Sequence, residues 1–442
     1  MIEIYAVGGY NEVGKNCTAI NVDGEVLIID LGIHLENYIR LTEDEDLVKI
    51  NADKLMEVGA VPNISVLDNV KRNVKAIVIG HAHLDHVGAV PYVANKFNAP
   101  VICSPYTAEV LKNILKDDKI RINNDIKTLN LNSFYKISEN IKIEFIHITH
   151  SVPQAALIAI HTDYGIILYA NDFKFDLYPV LGKKPNFKRL EELGKEGIIA
   201  SVVESTYASD ARKMPSESVA REMLKDVLLG TDNKDNLIIV TTFSSHIARL
   251  KSIIEFGQKL NRKIIFLGRS LAKYVKAAEN IGIVDFSKDV EIVKYSRQIE
   301  RMLKKVDKDR EKYLLIVTGH QGEPKSVLYK IAKGEFEFDL YPEDSVVFSC
   351  RTIPTPTNIE NRDALENELK QTGVRIFKDI HQSGHAARED LRDFINLVKP
   401  KNIIPAHGTK EMRGALAELC AEMGYKTGKN IFLIKDGQKI EL

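Results

Sequence analysis

Three histidines and an aspartate fall within six residues of the chain, at His81, His83, Asp85 and His86. Alternate residues of an extended segment point to the same side, so His81 and His83 project together. Imidazole nitrogens and carboxylate oxygens are ligands that suit a borderline-soft divalent metal ion. Because the whole chain has only 12 histidines, this clustering favours a metal site over a chance group of surface histidines.

A metal centre of this kind needs further ligands, and three candidates occur where other predicted strands end. His150 ends the apolar segment 143–150, Asp172 follows a predicted hairpin, and His407 follows a short apolar run. Chemistry is commonly placed on loops that leave a rigid scaffold. Each residue alone could be structural, but the three together predict a site that draws ligands from several strands.

The elements that must position these ligands begin with hairpins. Apolar segments flank Asp23 and Gly24, a pair that tolerates positive φ in a two-residue turn. A second hairpin is predicted over 155–170, and a third near the end of the chain around Asp436 and Gly437.

The middle of the chain follows a different pattern, in which apolar runs alternate with helical segments. The runs are 237–241, 263–268, 313–319, 345–350 and 374–379. Strands that are apolar throughout and alternate with helices indicate a parallel sheet covered on both faces. We therefore predict an inserted α/β domain over 209–378.

Composition narrows the class of protein. Lys plus Arg equals Asp plus Glu at 61 each, which excludes a globally basic protein but not a local basic groove. The four cysteines are far apart and include no CxxC pair, as expected in a reducing cytosol. No apolar run is long enough to span a bilayer. We expect a soluble, cytoplasmic protein.

The segment 81–86 resembles the HxHxDH signature of the metallo-β-lactamase superfamily. His150, Asp172 and His407 are similar to the remaining metal-ligand motifs of that superfamily and follow in the same order. Asp30 resembles its first motif, an aspartate that usually supports the ligating histidines.

Two further segments resemble the β-CASP nucleases, a group within that superfamily. Glu204 lies in a Glu-Ser-Thr segment similar to their acidic motif A, and His385 lies in a Ser-Gly-His-Ala segment similar to their motif B. The implied fold is α/β, a metallo-β-lactamase αββα sandwich built from residues 1–208 and 379–442. Residues 209–378 are then the inserted β-CASP domain with its parallel sheet.

The chain looks most like the ribonuclease J enzymes, along essentially its whole length. The segments that carry this resemblance are 149–154, 171–176, 241–246, 318–324 and 383–386. Bacterial members usually have Asp where this chain has Glu204, and their C-terminal domain is not matched. The short, Ile- and Lys-rich sequence therefore resembles an archaeal ribonuclease J.

The resemblance implies two zinc ions per chain, bridged by Asp172. The expected ligands are His81, His83 and His150 for one ion, and Asp85, His86 and His407 for the other. Asp85 and Asp172 are thereby expected to take part in catalysis. His385 is expected to donate a hydrogen bond or a proton in the transition state, and Glu204 to orient its ring.

Recognition of an RNA end also needs a phosphate pocket. Residues 242–245 leave a predicted strand and open a helix, where backbone N–H groups and hydroxyls can bind a phosphate. The alternative is ordinary helix N-capping by these serines. The expected phosphate- and RNA-binding residues are Phe243, Ser244, Ser245, Arg269 from the neighbouring strand, Ser383, Gly384 and His385.

One motif is set aside. The segment from Gly9 to Asn16 nearly spells a P-loop, but Asn16 replaces the Ser or Thr that would bind magnesium. A strand rather than a helix is predicted next, so nucleotide hydrolysis is not expected from this segment.

The predicted function is a zinc-dependent 5′-to-3′ exoribonuclease that favours 5′-monophosphate ends, with endonuclease activity left open. The alternatives are a β-CASP endonuclease acting on RNA or DNA, and a non-enzymatic scaffold subunit of an RNA-processing complex. A scaffold should have lost metal ligands, and none of the motif residues is missing. Expected partners are single-stranded RNA, a second copy in a homodimer, and proteins of RNA decay or processing, with no membrane.

Overall fold

The computed structural model describes residues 1–44 and 51–442, and these divide into two units. The first unit contains Met1–Leu177, Lys183–Met214 and Gly384–Leu442, and the second contains Tyr178–Gly182 and Pro215–Ser383. As domain boundaries, 208/209 and 378/379 stay predictions.

Two sheets form the framework of the first unit. One has the strand order β19 (Lys439–Glu441), β1 (Ile2–Gly8), β2 (Cys17–Val22), β3 (Glu25–Ile29), β4 (Val74–Ile79), β5 (Val101–Cys103) and β6 (Ile126–Thr128). The other has the order β18 (Ile403–Ala406), β11 (Ile198–Glu204), β10 (Gly165–Ala170), β9 (Ala156–Thr162), β8 (Lys142–His147) and β7 (Ser133–Lys136). The first two predicted hairpins are confirmed as the antiparallel pairs β2–β3 and β9–β10.

The two sheets bury apolar residues between them. Leu27 and Val78 of the first sheet share one buried cluster with Ile158 and Val202 of the second. The helices of this unit are α1 (Leu35–Asp44), α2 (Ala52–Glu57), α3 (Leu84–Val87), α4 (Val90–Val93), α5 (Pro105–Asp117), α6 (Phe187–Glu196), α13 (Arg388–Val398) and α14 (Lys410–Glu422). Helices α6, α13 and α14 supply a second buried cluster on the other face of the second sheet. The predicted αββα sandwich is thus present.

The third predicted hairpin is wrong. Strand β19 pairs with β1, with Glu441 opposite Glu3, and not with the segment before the turn. The turn itself is held by β1 and the loop after it, because Gly437 N–H donates to Ala6 O and Tyr10 N–H donates to Asp436 Oδ1. These long-range contacts replace the local pairing that the sequence pattern suggested.

The second unit is built on one parallel sheet. Its strand order is β14 (Val290–Val293), β13 (Lys263–Leu267), β15 (Tyr313–Val317), β12 (Ile238–Thr241), β16 (Ser345–Phe348) and β17 (Arg375–Phe377). Its helices are α7 (Glu217–Gly230), α8 (Ile247–Lys259), α9 (Arg269–Asn280), α10 (Ser296–Val306), α11 (Val327–Ala332) and α12 (Pro356–Gln371). All five predicted apolar runs are strands, and β14 is an additional one. Within the described ranges, none of the helices has the length and apolar content needed to cross a bilayer.

Candidate metal centre

Five of the seven predicted ligands lie on loops that leave four strands of the first unit, and the other two, Asp85 and His86, lie in α3. His81 and His83 follow β4, His150 follows β8, Asp172 follows β10 and His407 follows β18. Asp172 and His407 have φ angles of 53° and 50°. This left-handed conformation costs an L residue about 1–2 kcal/mol. Such strain at two strand ends points to placement of the side chains for function.

The first group of ligand atoms contains three histidine nitrogens. His83 Nδ1 lies 3.1 Å from His81 Nε2 and 3.0 Å from His150 Nε2. Asp172 Oδ2 is 3.5 Å from His81 Nε2 and 3.7 Å from His150 Nε2. The three imidazoles and the carboxylate therefore surround one point.

The second group shares the same carboxylate. Asp172 Oδ2 lies 3.2 Å from His86 Nε2, and Asp172 Oδ1 lies 3.3 Å from His407 Nε2. Asp85 Oδ2 lies 3.6 Å from His86 Nε2 and 3.7 Å from His407 Nε2. Each group can hold one metal ion, and Asp172 belongs to both.

The donor atoms fit divalent metal ions. Tetrahedral zinc with ligands at about 2.0–2.1 Å keeps neighbouring nitrogen or oxygen ligands about 3.3 Å apart. The separations in the two groups run from 3.0 to 3.7 Å. Asp172 Oδ1 is buried and has no hydrogen-bond partner in the described part of the chain. A buried carboxylate oxygen without a donor is costly unless a cation binds it.

The protonation states of His81 and Asp172 also suit metal binding. Burial and the neighbouring His86 imidazole lower the pKa of His81 well below its ordinary value. Burial favours the neutral acid of Asp172, but His407 and His86 lower the pKa of that carboxyl well below the usual range. Neutral imidazole and ionised carboxylate are the forms that ligate metals.

Two of the histidines are oriented by a hydrogen bond from Nδ1, the ring nitrogen that does not face the ligand groups. His86 Nδ1 donates to Asp30 Oδ2 at 2.7 Å, and His150 Nδ1 donates to the Gly384 carbonyl oxygen at 2.7 Å. In the neutral rings both contacts place the proton on Nδ1, so that Nε2, which faces the ligand groups, is the nitrogen able to bind a metal ion. Asp30 was predicted in this supporting position, whereas the Gly384 carbonyl was not. Tyr169, whose hydroxyl donates to Asp30 Oδ2 at 2.9 Å, was also missed.

The predicted pair of Glu204 and His385 lies beside these groups. Glu204 is fully buried at the end of β11, and its Oε2 accepts from His385 Nδ1 at 2.6 Å. The His385 ring centroid is 5.0 Å from that of His150. Burial opposes protonation of His385, but the Glu204 carboxylate raises its pKa to about 10. The geometry therefore provides a protonated imidazole next to the ligand groups.

The predicted phosphate-binding residues are divided between the units. Phe243, Ser244, Ser245, Arg269 and Ser383 belong to the second unit, and Gly384 and His385 belong to the first. Within the second unit, Ser244 Oγ lies 2.9 Å from Ser270 Oγ at the start of α9. The Phe243 ring packs on His320, with 4.4 Å between ring centroids.

The structure removes the N-capping alternative and corrects one detail of the prediction. The N-cap of α8 is His246, whose side chain accepts from Arg249 N–H at 3.3 Å, so the serines do not cap the helix. Arg269 follows β13, which pairs with β14 and β15 and not with β12. Its strand is therefore not the neighbour of the strand that precedes Ser244, although Ser244 contacts Ser270 at the start of α9.

Three family models match the sequence. Residues 10–185 match the metallo-β-lactamase superfamily. Residues 235–367 match the ribonuclease J β-CASP domain. Residues 373–433 match the Zn-dependent metallo-hydrolase RNA specificity domain.

Curated relatives match over the full length of the chain. Ribonuclease J of Methanocaldococcus jannaschii is 45% identical over 439 residues, 99% of this chain and 98% of that protein. Ribonuclease J of Pyrococcus abyssi is 43% identical over 444 residues, 100% of this chain and 97% of that protein. Ribonuclease J 1 of Streptococcus pyogenes is 30% identical over 447 residues, 100% of this chain and 74% of that protein.

One solved structure gives a likeness of fold alone. The crystal structure of a protein of unknown function from Enterococcus faecalis superimposes with a TM-score of 0.67 at 16% sequence identity. The match covers 100% of both chains.

Proposed function

The chain belongs to the ribonuclease J family, and from that premise we propose that it is a zinc-dependent 5′-to-3′ exoribonuclease. The observation that carries the proposal is the Asp172 carboxylate, which is shared by both groups of ligand atoms. Its Oδ2 lies 3.5 Å from His81 Nε2 of one group and 3.2 Å from His86 Nε2 of the other. Such an arrangement suits a two-metal phosphodiesterase.

Each proposed ion has its own histidines and shares one carboxylate. One ion would be held by His81, His83, His150 and Asp172, and the other by Asp85, His86, His407 and Asp172. When bound, the two ions supply Lewis-acid stabilisation of the phosphoryl oxygens and lower the pKa of the attacking water.

The side chains of the protein supply orientation and a proton. His385 Nδ1 is held by Glu204, so we propose the other ring nitrogen, His385 Nε2, as the donor of a hydrogen bond or a proton. We propose that Nε2 stabilises the charge that develops on the phosphoryl group or protonates the leaving oxygen. Glu204 fixes the ring and keeps it charged.

The proposed substrate is single-stranded RNA with a 5′-monophosphate. The match of residues 373–433 to an RNA specificity domain supports RNA as the polymer. Ser244 and the neighbouring Ser270 offer paired hydroxyls, and the exposed Arg269 offers a charge, for a terminal phosphate. A homodimer and a cytoplasmic location stay predictions.

The test compares internally labelled RNAs with 5′-monophosphate, 5′-triphosphate and 5′-hydroxyl ends, beside a DNA of the same sequence. We expect the monophosphate RNA to be degraded fastest, with mononucleotides as early products and little loss of DNA. Internal fragments that appear first, at equal rates for all ends, would instead indicate an endonuclease. Faster cleavage of DNA would contradict the choice of polymer.

A serine variant tests the phosphate pocket separately. Ser244→Ala removes one proposed phosphate contact, so we expect the monophosphate preference to fall about tenfold to a hundredfold, from the 1.5–3 kcal/mol of a hydrogen bond to a charged group. Ser252→Ala is the matched control. The buried Ser252 hydroxyl donates to Ala248 O within α8, away from the proposed phosphate contact. Equal preference in wild type and Ser244→Ala would remove Ser244 from the pocket.

A further inference from the structure

The loop from Gly9 to Asn16, which resembles an incomplete P-loop, lies against the candidate metal centre. His407 N–H donates to Gly9 O at 2.7 Å, and Asn16 N–H donates to Asp85 O at 3.0 Å. Gly9 has a φ of 84°, and a Cβ atom there would lie 2.5 Å from Asn16 Oδ1. Glycine is therefore needed to let the buried Asn16 carboxamide approach His407.

The hydrogen-bond partners fix which way the Asn16 carboxamide points. Its Nδ2 lies 3.1 Å from the Asp85 carbonyl oxygen, which can only accept. Its Oδ1 lies 3.1 Å from Asn171 Nδ2. Exchanging the two ends would place an oxygen against a carbonyl oxygen and an NH2 group against an NH2 group.

The orientation of Asn171 is fixed in turn. The Tyr169 hydroxyl donates its only proton to Asp30 Oδ2 at 2.9 Å, so its oxygen can only accept from Asn171. Asn171 Nδ2 lies 3.0 Å from that oxygen. A continuous chain of hydrogen bonds therefore runs from Asp30 through Tyr169 and Asn171 to Asn16.

The consequence is a defined tautomer for His407. Asn16 Oδ1 lies 2.9 Å from His407 Nδ1, and an oxygen that acts as an acceptor requires a proton on that nitrogen. Gly14 N–H lies 3.5 Å from the same nitrogen, the longer and weaker of the two contacts. His407 Nε2 is then unprotonated where it faces Asp172 Oδ1 at 3.3 Å.

We propose that Asn16 is a positioning residue that fixes the Nδ1-protonated tautomer of His407 and thereby sets the affinity of one of the two metal ions. This inference rests on the proposed two-metal function. The ion concerned is the one assigned to Asp85, His86 and His407. In the described part of the chain, no hydrogen bond joins Asn16 to His81, His83 or His150, so the other ion should be unaffected.

The experiment uses apo protein in two measurements. Long-range 1H–15N correlation spectra of 15N-histidine-labelled protein report the tautomer of His407, which is assigned by the signal missing in His407→Gln. Zinc titration against a competing chelator reports the two affinities. For Asn16→Leu we expect loss of the single tautomer and a 10–100-fold weaker second zinc ion, the range typical of such supporting contacts.

Two further variants separate positioning from folding. Asn21→Leu removes another buried asparagine of the same unit, which bonds Glu3 and Gly24, and should bind both ions normally. Asn16→Asp keeps an acceptor for His407 Nδ1 and should retain the tautomer, which also covers the case in which Asn16→Leu fails to fold. Its second oxygen replaces an Nδ2 that lies 3.1 Å from both Asp85 O and His86 Nε2, so this variant is judged by the tautomer and not by zinc affinity.

The inference is overturned if Asn16→Leu keeps the wild-type tautomer or both wild-type affinities, or if Asn16→Asp loses the single tautomer. Wild-type protein that binds fewer than two ions would contradict the proposed function instead. In that case the tautomer measurement, which needs no metal, still decides the role of Asn16.

Discussion

Glu204→Gln changes the hydrogen bonding of the His385 dyad with little change of shape. Glu204 Oε1 accepts from Phe173 N–H at 2.8 Å and from Ala386 N–H at 3.4 Å. The glutamine oxygen must keep that position, so the amide nitrogen faces His385 Nδ1. His385 Nδ1 must then accept, the proton moves to Nε2, and the ring loses the carboxylate that kept it charged.

The size of the effect follows from the pKa of His385, which rises from an ordinary 6.5 to about 10. At about 1.4 kcal/mol per unit, this favours the imidazolium by up to about 5 kcal/mol. The value is an upper bound for the effect of Glu204, because Asp172 also raises this pKa and because solvent screens a side chain that is 21% exposed. Neutral His385 is a weaker acid, and loss of general acid catalysis lowers turnover by about 10²–10⁴.

Single-turnover cleavage of 5′-monophosphate RNA measures this loss, with zinc content determined on the same samples. We expect Glu204→Gln to keep its zinc and to lose activity, and His385→Ala to behave alike. The double variant should be no slower than His385→Ala, because the two residues act as one unit. Wild-type turnover in Glu204→Gln would refute the proposal that Glu204 keeps His385 charged for catalysis. Loss of zinc from this variant would show that Glu204 acts on the metal ligands instead.

The remaining predictions concern metal content and buried charge. Asp172→Ala should lose both ions and all turnover, and elemental analysis that finds two zinc ions in this variant would contradict the shared ligand. Arg249→Met should destabilise the chain by about 3–5 kcal/mol in urea unfolding, because it leaves the buried Glu217 carboxylate without its guanidinium. Burial favours the neutral acid, but Arg249 lowers the pKa of Glu217 well below the usual range. The ionised Glu217 therefore contributes its full stability above about pH 4.3, the ordinary pKa of Glu. This contribution is lost as the pH falls towards the lower pKa of Glu217 in the folded protein, so the free energy of unfolding of Glu217→Gln should depend less on pH in acid.

Sequence patterns predicted the parts of the structure that have a local signature. Apolar runs indicated the strands of both units, and the HxHxDH segment with His150, Asp172 and His407 indicated the ligand set. Strand β14 was missed because it is short and exposes Glu291, which weakens its apolar pattern. The third hairpin was wrong because the choice of partner for β19 depends on contacts with β1, far away in the sequence.

The supporting contacts of the metal centre have no common sequence signature, for a physical reason. Three of the proposed histidine ligands have Nδ1 held by an acceptor, but the acceptors are a carboxylate, a backbone carbonyl and a carboxamide, from Asp30, Gly384 and Asn16. Any acceptor oxygen at about 2.7–2.9 Å fixes the same tautomer, so function constrains the geometry more than the residue type. The one residue with a recognisable motif, Asp30, also accepts from Tyr169 and so starts the chain of hydrogen bonds that reaches Asn16. The ligands can therefore be found from spacing, whereas what orients them has to be found from the fold.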